Sequence, residues 1–138
     1  MVIRLGANHL VFTLNEKVTI TSPEFVLILS NDMTNQQVGC KLGTDLSGFP
    51  TRFNQFHVFV NDNPVALNSE VELADYGFHK YFVYEMADAD TFDFAGVNSL
   101  DLETMEGLVE QGKIQYLTPE ETIKYYANRR ASIKSYGS

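Results

Sequence analysis

The stretch Gly77-Phe78-His79-Lys80-Tyr81-Phe82-Val83-Tyr84-Glu85 decides the fold. It is rich in aromatic residues and bounded by a glycine and an acidic segment, the composition of a long strand on a pleated surface. Upstream, Arg52 to Val60 sets Phe56, Val58 and Val60 in period two, and Asn61-Asp62-Asn63-Pro64 turns the chain. Val71-Glu72-Leu73 reads as a short strand before the long one. Glu24-Phe25-Val26-Leu27-Ile28-Leu29-Ser30 is apolar almost throughout, as expected of a strand buried on both faces. Asn31 to Asn35 is a tight connection to Gln37–Leu42, which predicts an antiparallel hairpin. Nearer the start, His9 to Leu14 places Leu10, Phe12 and Leu14 on one face, and Val18-Thr19-Ile20 resumes the period.

These runs amount to seven or so strands between residues 9 and 86. Leu108 to Leu117 adds a closing strand, with Gly112 as a turn or bulge. Short strands separated by Asn, Asp, Gly and Pro predict a mainly β protein, a single antiparallel β-sandwich of about seven to nine strands. Leu10, Phe12, Leu27, Leu29, Phe56, Val58, Phe82 and Val109 are expected among its buried positions. A length of 138 residues with 44 % hydrophobic content suits one domain with one core.

The expected organisation is a β domain over 1–117, including an acidic loop 87–106, followed by a C-terminal helix and basic tail over 118–138. Thr118 can cap that helix, Pro119 suits its first position and Glu121 completes a capping box. The helix would run through Ala131, with Ile123, Ala127 and Arg130 on one face and Tyr126 beside them. So short a helix needs something to pack against.

Formal net charge is −8, which disfavours binding to nucleic acid or anionic lipid. The charge is divided along the chain. Residues 85–112 carry Glu85, Asp88, Asp90, Asp93, Asp101, Glu103, Glu106 and Glu110 without a Lys or Arg; residues 122–138 carry Lys124, Arg129, Arg130 and Lys134 without an acid. Opposite-signed segments suit docking between subunits or onto a partner, with Ile123, Tyr126, Arg129, Arg130 and Lys134 as the docking residues. The same charges also suit two solvated surfaces. Arg129, Arg130 and Lys134 with Tyr125, Tyr126 and Tyr136 form a basic-aromatic patch too small for phosphate, and an acidic protein surface fits it better.

Chemistry is sparse. Cys40 is the only cysteine, so no intramolecular disulfide can form, and a lone thiol of this kind is expected to be buried. Asp88, Asp90 and Asp93 resemble the start of a calcium loop, but Phe92 stands where the third ligand belongs, and the following Gly and closing Glu are missing. His9, His57 and His79 fall on three strands with no His or Cys partner at zinc spacing. There is no nucleophile elbow, phosphate-cradling loop or His-Glu-x-x-His. The expectation is a protein without metal, cofactor or enzymatic activity. No apolar run reaches membrane-spanning length and the N-terminus has no secretory h-region, so folding is expected in the cytosol.

Three pieces together resemble a family of small virion-associated proteins of crAss-like and related phages of Bacteroidetes hosts. They are Asn31-Asp32-Met33-Thr34-Asn35 after a buried strand, Phe53-Asn54-Gln55-Phe56 opening another, and the pair Tyr76–Glu85 and Gly107–Lys113, in order from about residue 8 to residue 116. The resemblance implies a structural component of the virion, a capsid protein partner or head-fiber anchor assembled in the bacterial cytoplasm. Its implied partners are further copies of itself and the major capsid or other virion proteins, with no nucleic acid or membrane. A tail or neck adaptor and a carbohydrate-binding module of host recognition, using Tyr81 or Tyr116, are the alternatives. The acidic excursion 87–106 and the helix with its basic tail depart from the family pattern.

Overall fold

The computed structural model describes residues 1–14, 17–21, 23–48, 53–99, 102 and 105–117. Its strands are β1 (Val2–Arg4), β2 (Gly6–Phe12), β3 (Glu24–Asn31), β4 (Gln37–Leu42), β5 (Asn54–Val60), β6 (Glu70–Val71), β7 (Gly77–Met86) and β8 (Leu108–Leu117). The chain is mainly β and builds two sheets. One is a curled five-stranded half-barrel in the order β1-β8-β7-β3-β4; the other has the order β2-β5-β6.

Both sheets are mixed, which corrects the expectation of purely antiparallel pairing. β1 lies parallel to β8, and β6 parallel to β5. Parallel neighbours need a long connection, and here residues 61–69 supply one while nearly the whole chain supplies the other. The β3–β4 hairpin holds as expected, with Leu27 opposite Cys40 and Leu29 opposite Val38. Its turn is closed by the Asn31 side chain, whose Oδ1 accepts from the backbone N–H of Met33 (2.8 Å) and Thr34 (3.0 Å).

The passage from β1 to β2 moves the chain between sheets. Gly6 takes φ +96°, a conformation that L side chains rarely adopt. Asn8 locks the corner: Arg4 N–H donates to its Oδ1 (2.8 Å) and its amide donates to the Arg4 carbonyl (2.7 Å).

One buried cluster is shared by the two sheets. Leu10, Phe12, Phe56, Val58 and Val60 come from the small sheet, and Ile3, Leu27, Leu29, Val83, Val109 and Ile114 from the large one. All eight positions expected to be buried are buried. In β3, Val26, Leu27, Ile28 and Leu29 are each wholly inaccessible, so that strand is covered on both faces.

The second cover comes from described residues of the 87–106 segment, so the acidic loop expected there also carries a packed apolar face. Ala89, Val97 and Leu102 are buried with Val26, Ile28, Phe82 and Tyr84, and Phe92, Phe94 and Met105 pack at the margin. Short 3-10 turns at Ala89–Thr91 and Val97–Ser99 shape it. The acidic composition conceals six apolar anchors because their spacing follows no regular period.

Three smaller differences have local causes. Val18–Ile20 is not a strand, because Thr19 gives its N–H and hydroxyl to the Glu85 carboxylate instead of to a ladder. The short strand falls at Glu70–Val71 rather than 71–73, parallel to Phe59–Val60. Gly112 is neither turn nor bulge: it lies within β8 opposite Tyr81, where an added Cβ would come within 2.8 Å of the ring. The irregularity sits further along, between Val83 and Tyr84, where β8 accommodates an extra residue at Val109. The expected helix and basic tail, with Ile123, Tyr126, Arg129, Arg130 and Lys134, lie outside the described residues.

Candidate interaction surface

Five of the described carboxylates of 85–112, Glu85, Asp88, Asp90, Asp93 and Glu110, are engaged by their own chain. Glu85, only 6 % exposed, accepts from Thr19. Asp88 caps the first 3-10 turn through the Asp90 N–H (3.0 Å), and Asp93 accepts from the Gly96 N–H (3.2 Å). Asp90 and Glu24 share Lys41 at 2.8 and 3.1 Å. That pairing raises the Lys41 pKa, with Asp90 the larger cause; the Ala89 N–H and then Lys41 lower that of Glu24. Glu110 accepts from the Thr13 N–H (3.0 Å) and from the Tyr81 hydroxyl (3.0 Å). These carboxylates fasten the excursion and the β2–β3 connection to the large sheet, so their first role is intramolecular.

Cys40, His79 and Asp45 are also tied into the fold. Cys40 is wholly buried opposite Leu27, and burial pushes its thiol up to about 12, which leaves it an inert hydrophobe. His79 is buried at the rim of a cavity of about 130 Å³ that Asn31, Val38, Leu73 and Asp75 also line. Its Nδ1–H donates to the Gly77 carbonyl (3.1 Å), which leaves Nε2 to accept from the Asn31 amide at 3.4 Å. Asp45 accepts from the N–H groups of Gln55 and Ser47 and from the Asn54 amide, all at 2.7 to 2.9 Å. Burial works to raise its pKa, but those three donors outweigh it and hold the carboxyl below its ordinary range.

The aromatic residues proposed for sugar binding are not exposed platforms. Tyr116 is 3 % exposed and lies in the shared core under Tyr76, ring centroids 4.5 Å apart. Tyr81 is half-buried, lies tilted against Phe12 with ring centroids 5.4 Å apart, and covers Gly112. Burial, more than Glu110 or Tyr76, pushes both phenols up to about 12. A strand Tyr that alternation leaves undecided is drawn inward here because the curled sheet offers both an apolar bed and a hydroxyl acceptor.

Among the described residues, the outward face of the small sheet is left open. Alternation puts Ala7, His9 and Val11 of β2 beside Phe59, His57 and Gln55 of β5. Val11 is 47 % exposed and Phe59 38 %. His9 and His57 stand directly opposite one another, rings stacked at 4.7 Å, and Phe59 lies 4.3 Å beyond His57. The Gln55 amide reaches His9 Nδ1 at 3.2 Å, while His57 Nε2 is buried without a hydrogen-bond partner. Sequence spacing could not join these histidines, since 48 positions separate them; only the β2–β5 register does. Among the described residues no group of three or more His, Cys, Asp or Glu side chains is placed to hold a metal ion. No family model, no curated protein and no solved structure matches this chain.

Proposed function

We propose that this chain is a non-enzymatic structural protein of a phage virion, attached to the capsid surface as a decoration or as the anchor of a head fibre. We read its two sheets as the halves of a β-sandwich, with 118–138 as a helix and basic tail that docks on the capsid or a neighbouring subunit. The observation that carries the reading is the engagement of its chemistry. Glu85, Asp88, Asp90, Asp93 and Glu110, with His79 and Cys40, serve packing and hydrogen bonds, while the open surface is a sheet face suited to protein contact. The resemblance in residues 8–116 supplies the virion. Since Glu85, Asp88, Asp90, Asp93 and Glu110 already have partners, the basic tail is better matched by an acidic surface on another protein.

A tail or neck adaptor makes the same demands on the surface and is separated only by position. Imaging of intact particles by cryo-electron microscopy, with copy number by mass spectrometry, tests the assignment. Density for the β domain on the capsid, at a copy number set by capsid symmetry, is expected. Absence from purified particles would refute it. Removing 118–138 is expected to lower the copy number while the β domain stays folded.

A further inference from the structure

We infer that the outward face of the β2–β5 pair is a self-association surface, and that its occupant is the same face of a second copy of this chain. Three observations converge on it. The face is apolar and aromatic at its centre, with His9, His57 and Phe59 in one row of ring contacts and Val11 exposed two positions along β2 from His9. Interface cores are depleted in charged residues and enriched in such side chains.

The face also carries no formal charge when its histidines are neutral, in a chain of net charge −8. Glu70, in register with Phe59 at the β6 margin, is occupied by the Asn61 amide (2.9 Å) and the Val65 N–H (3.3 Å). A basic partner would select one of the acidic surfaces. Two copies of an acidic chain repel almost everywhere, so the uncharged face is where they can meet at least electrostatic cost.

Finally, the polar groups on the face are uncharged and already meet one another, the Gln55 amide lying 3.2 Å from His9 Nδ1, so a second copy can cover them without stranding a charge. An isologous contact presents the same patch from both sides, so that patch must tolerate being buried against itself. The inference does not rest on the virion reading, because association of the isolated chain asks nothing of particles.

Sedimentation velocity of the full chain tests it, with Val11→Glu and Ala7→Arg as separate variants. Both positions are exposed, so neither substitution enters the core, and circular dichroism checks that each variant keeps the β spectrum. The native chain should sediment as a dimer at about 100 μM, and each variant should associate about tenfold or more weakly because it places an unpaired charge in the contact. Arg129→Glu with Arg130→Glu should leave the dimer intact. A native chain that is monomeric at that concentration would overturn the inference. So would a dimer that both surface variants preserve, or one that only the tail variant disrupts.

Discussion

Each sheet turns one face inward and one outward, and the two outward faces have different fates. That of the large sheet is covered across Val26, Ile28, Phe82 and Tyr84 by the chain's own 87–106 excursion. That of the small sheet is left exposed by the described residues over Ala7, His9, Val11 and Phe59. The first is stabilised by burial and by carboxylates turned back on the chain. The second leaves apolar area, Val11 and Phe59 above all, for another molecule. The same chain thus covers one sheet and leaves the other exposed, and the element that makes the difference is a connection between strands rather than a strand.

The comparison breaks most readily at Tyr84. It is wholly buried in the excursion's cluster and its hydroxyl donates to the Leu102 carbonyl. Tyr84→Ala should cost about 3–5 kcal/mol in urea unfolding, as large aromatic truncations do. The matched truncation on the bare face, Phe59→Ala, should cost under about 1 kcal/mol in the monomer, because a surface position loses little packing. Equal losses would mean that the excursion does not seal its face.

Gly39 sharpens the same contrast at the edge strand β4. A Cβ there would stand 3.1 Å from the Leu27 carbonyl oxygen and 3.4 Å from the Phe94 ring, so the absence of a side chain is what lets the excursion approach. Gly39→Val should destabilise by about 1–3 kcal/mol through overpacking, read as a lowered midpoint in thermal unfolding.

Asp45 gives a smaller, pH-dependent effect beside the bare sheet. Its folded pKa is lowered from the ordinary 3.8, so the stabilisation is complete above that value and is lost as pH falls through the folded one. Asp45→Asn should therefore cost about 1 kcal/mol near neutral pH and progressively less below about pH 4. A cost that does not change with pH would remove the charge from the explanation.

Much of the shared core was legible because a two-residue period needs only the strand itself. Leu10, Phe12, Phe56 and Val58 declare their inward face in the sequence, and the β3–β4 hairpin is announced by the Asn31 turn. β1 was not legible: three residues show no period, and its partner β8 lies more than a hundred positions away. The excursion was legible as a long acidic loop but not as a cover, since its apolar residues are irregularly spaced among acids. The candidate surface was the least legible part. Nothing in His9 or His57 alone marks them as neighbours; pairing is a property of register, and register is fixed by the whole sheet.

The claim that one outer face is sealed and the other open to a second copy is tested most directly by backbone amide NMR of the full chain across a dilution series. Shift changes on dilution should cluster on Ala7, His9, Val11, Gln55, His57 and Phe59 and leave Ala89, Phe94 and Val97 unmoved. Changes centred on the excursion, or no changes over the range, would contradict it.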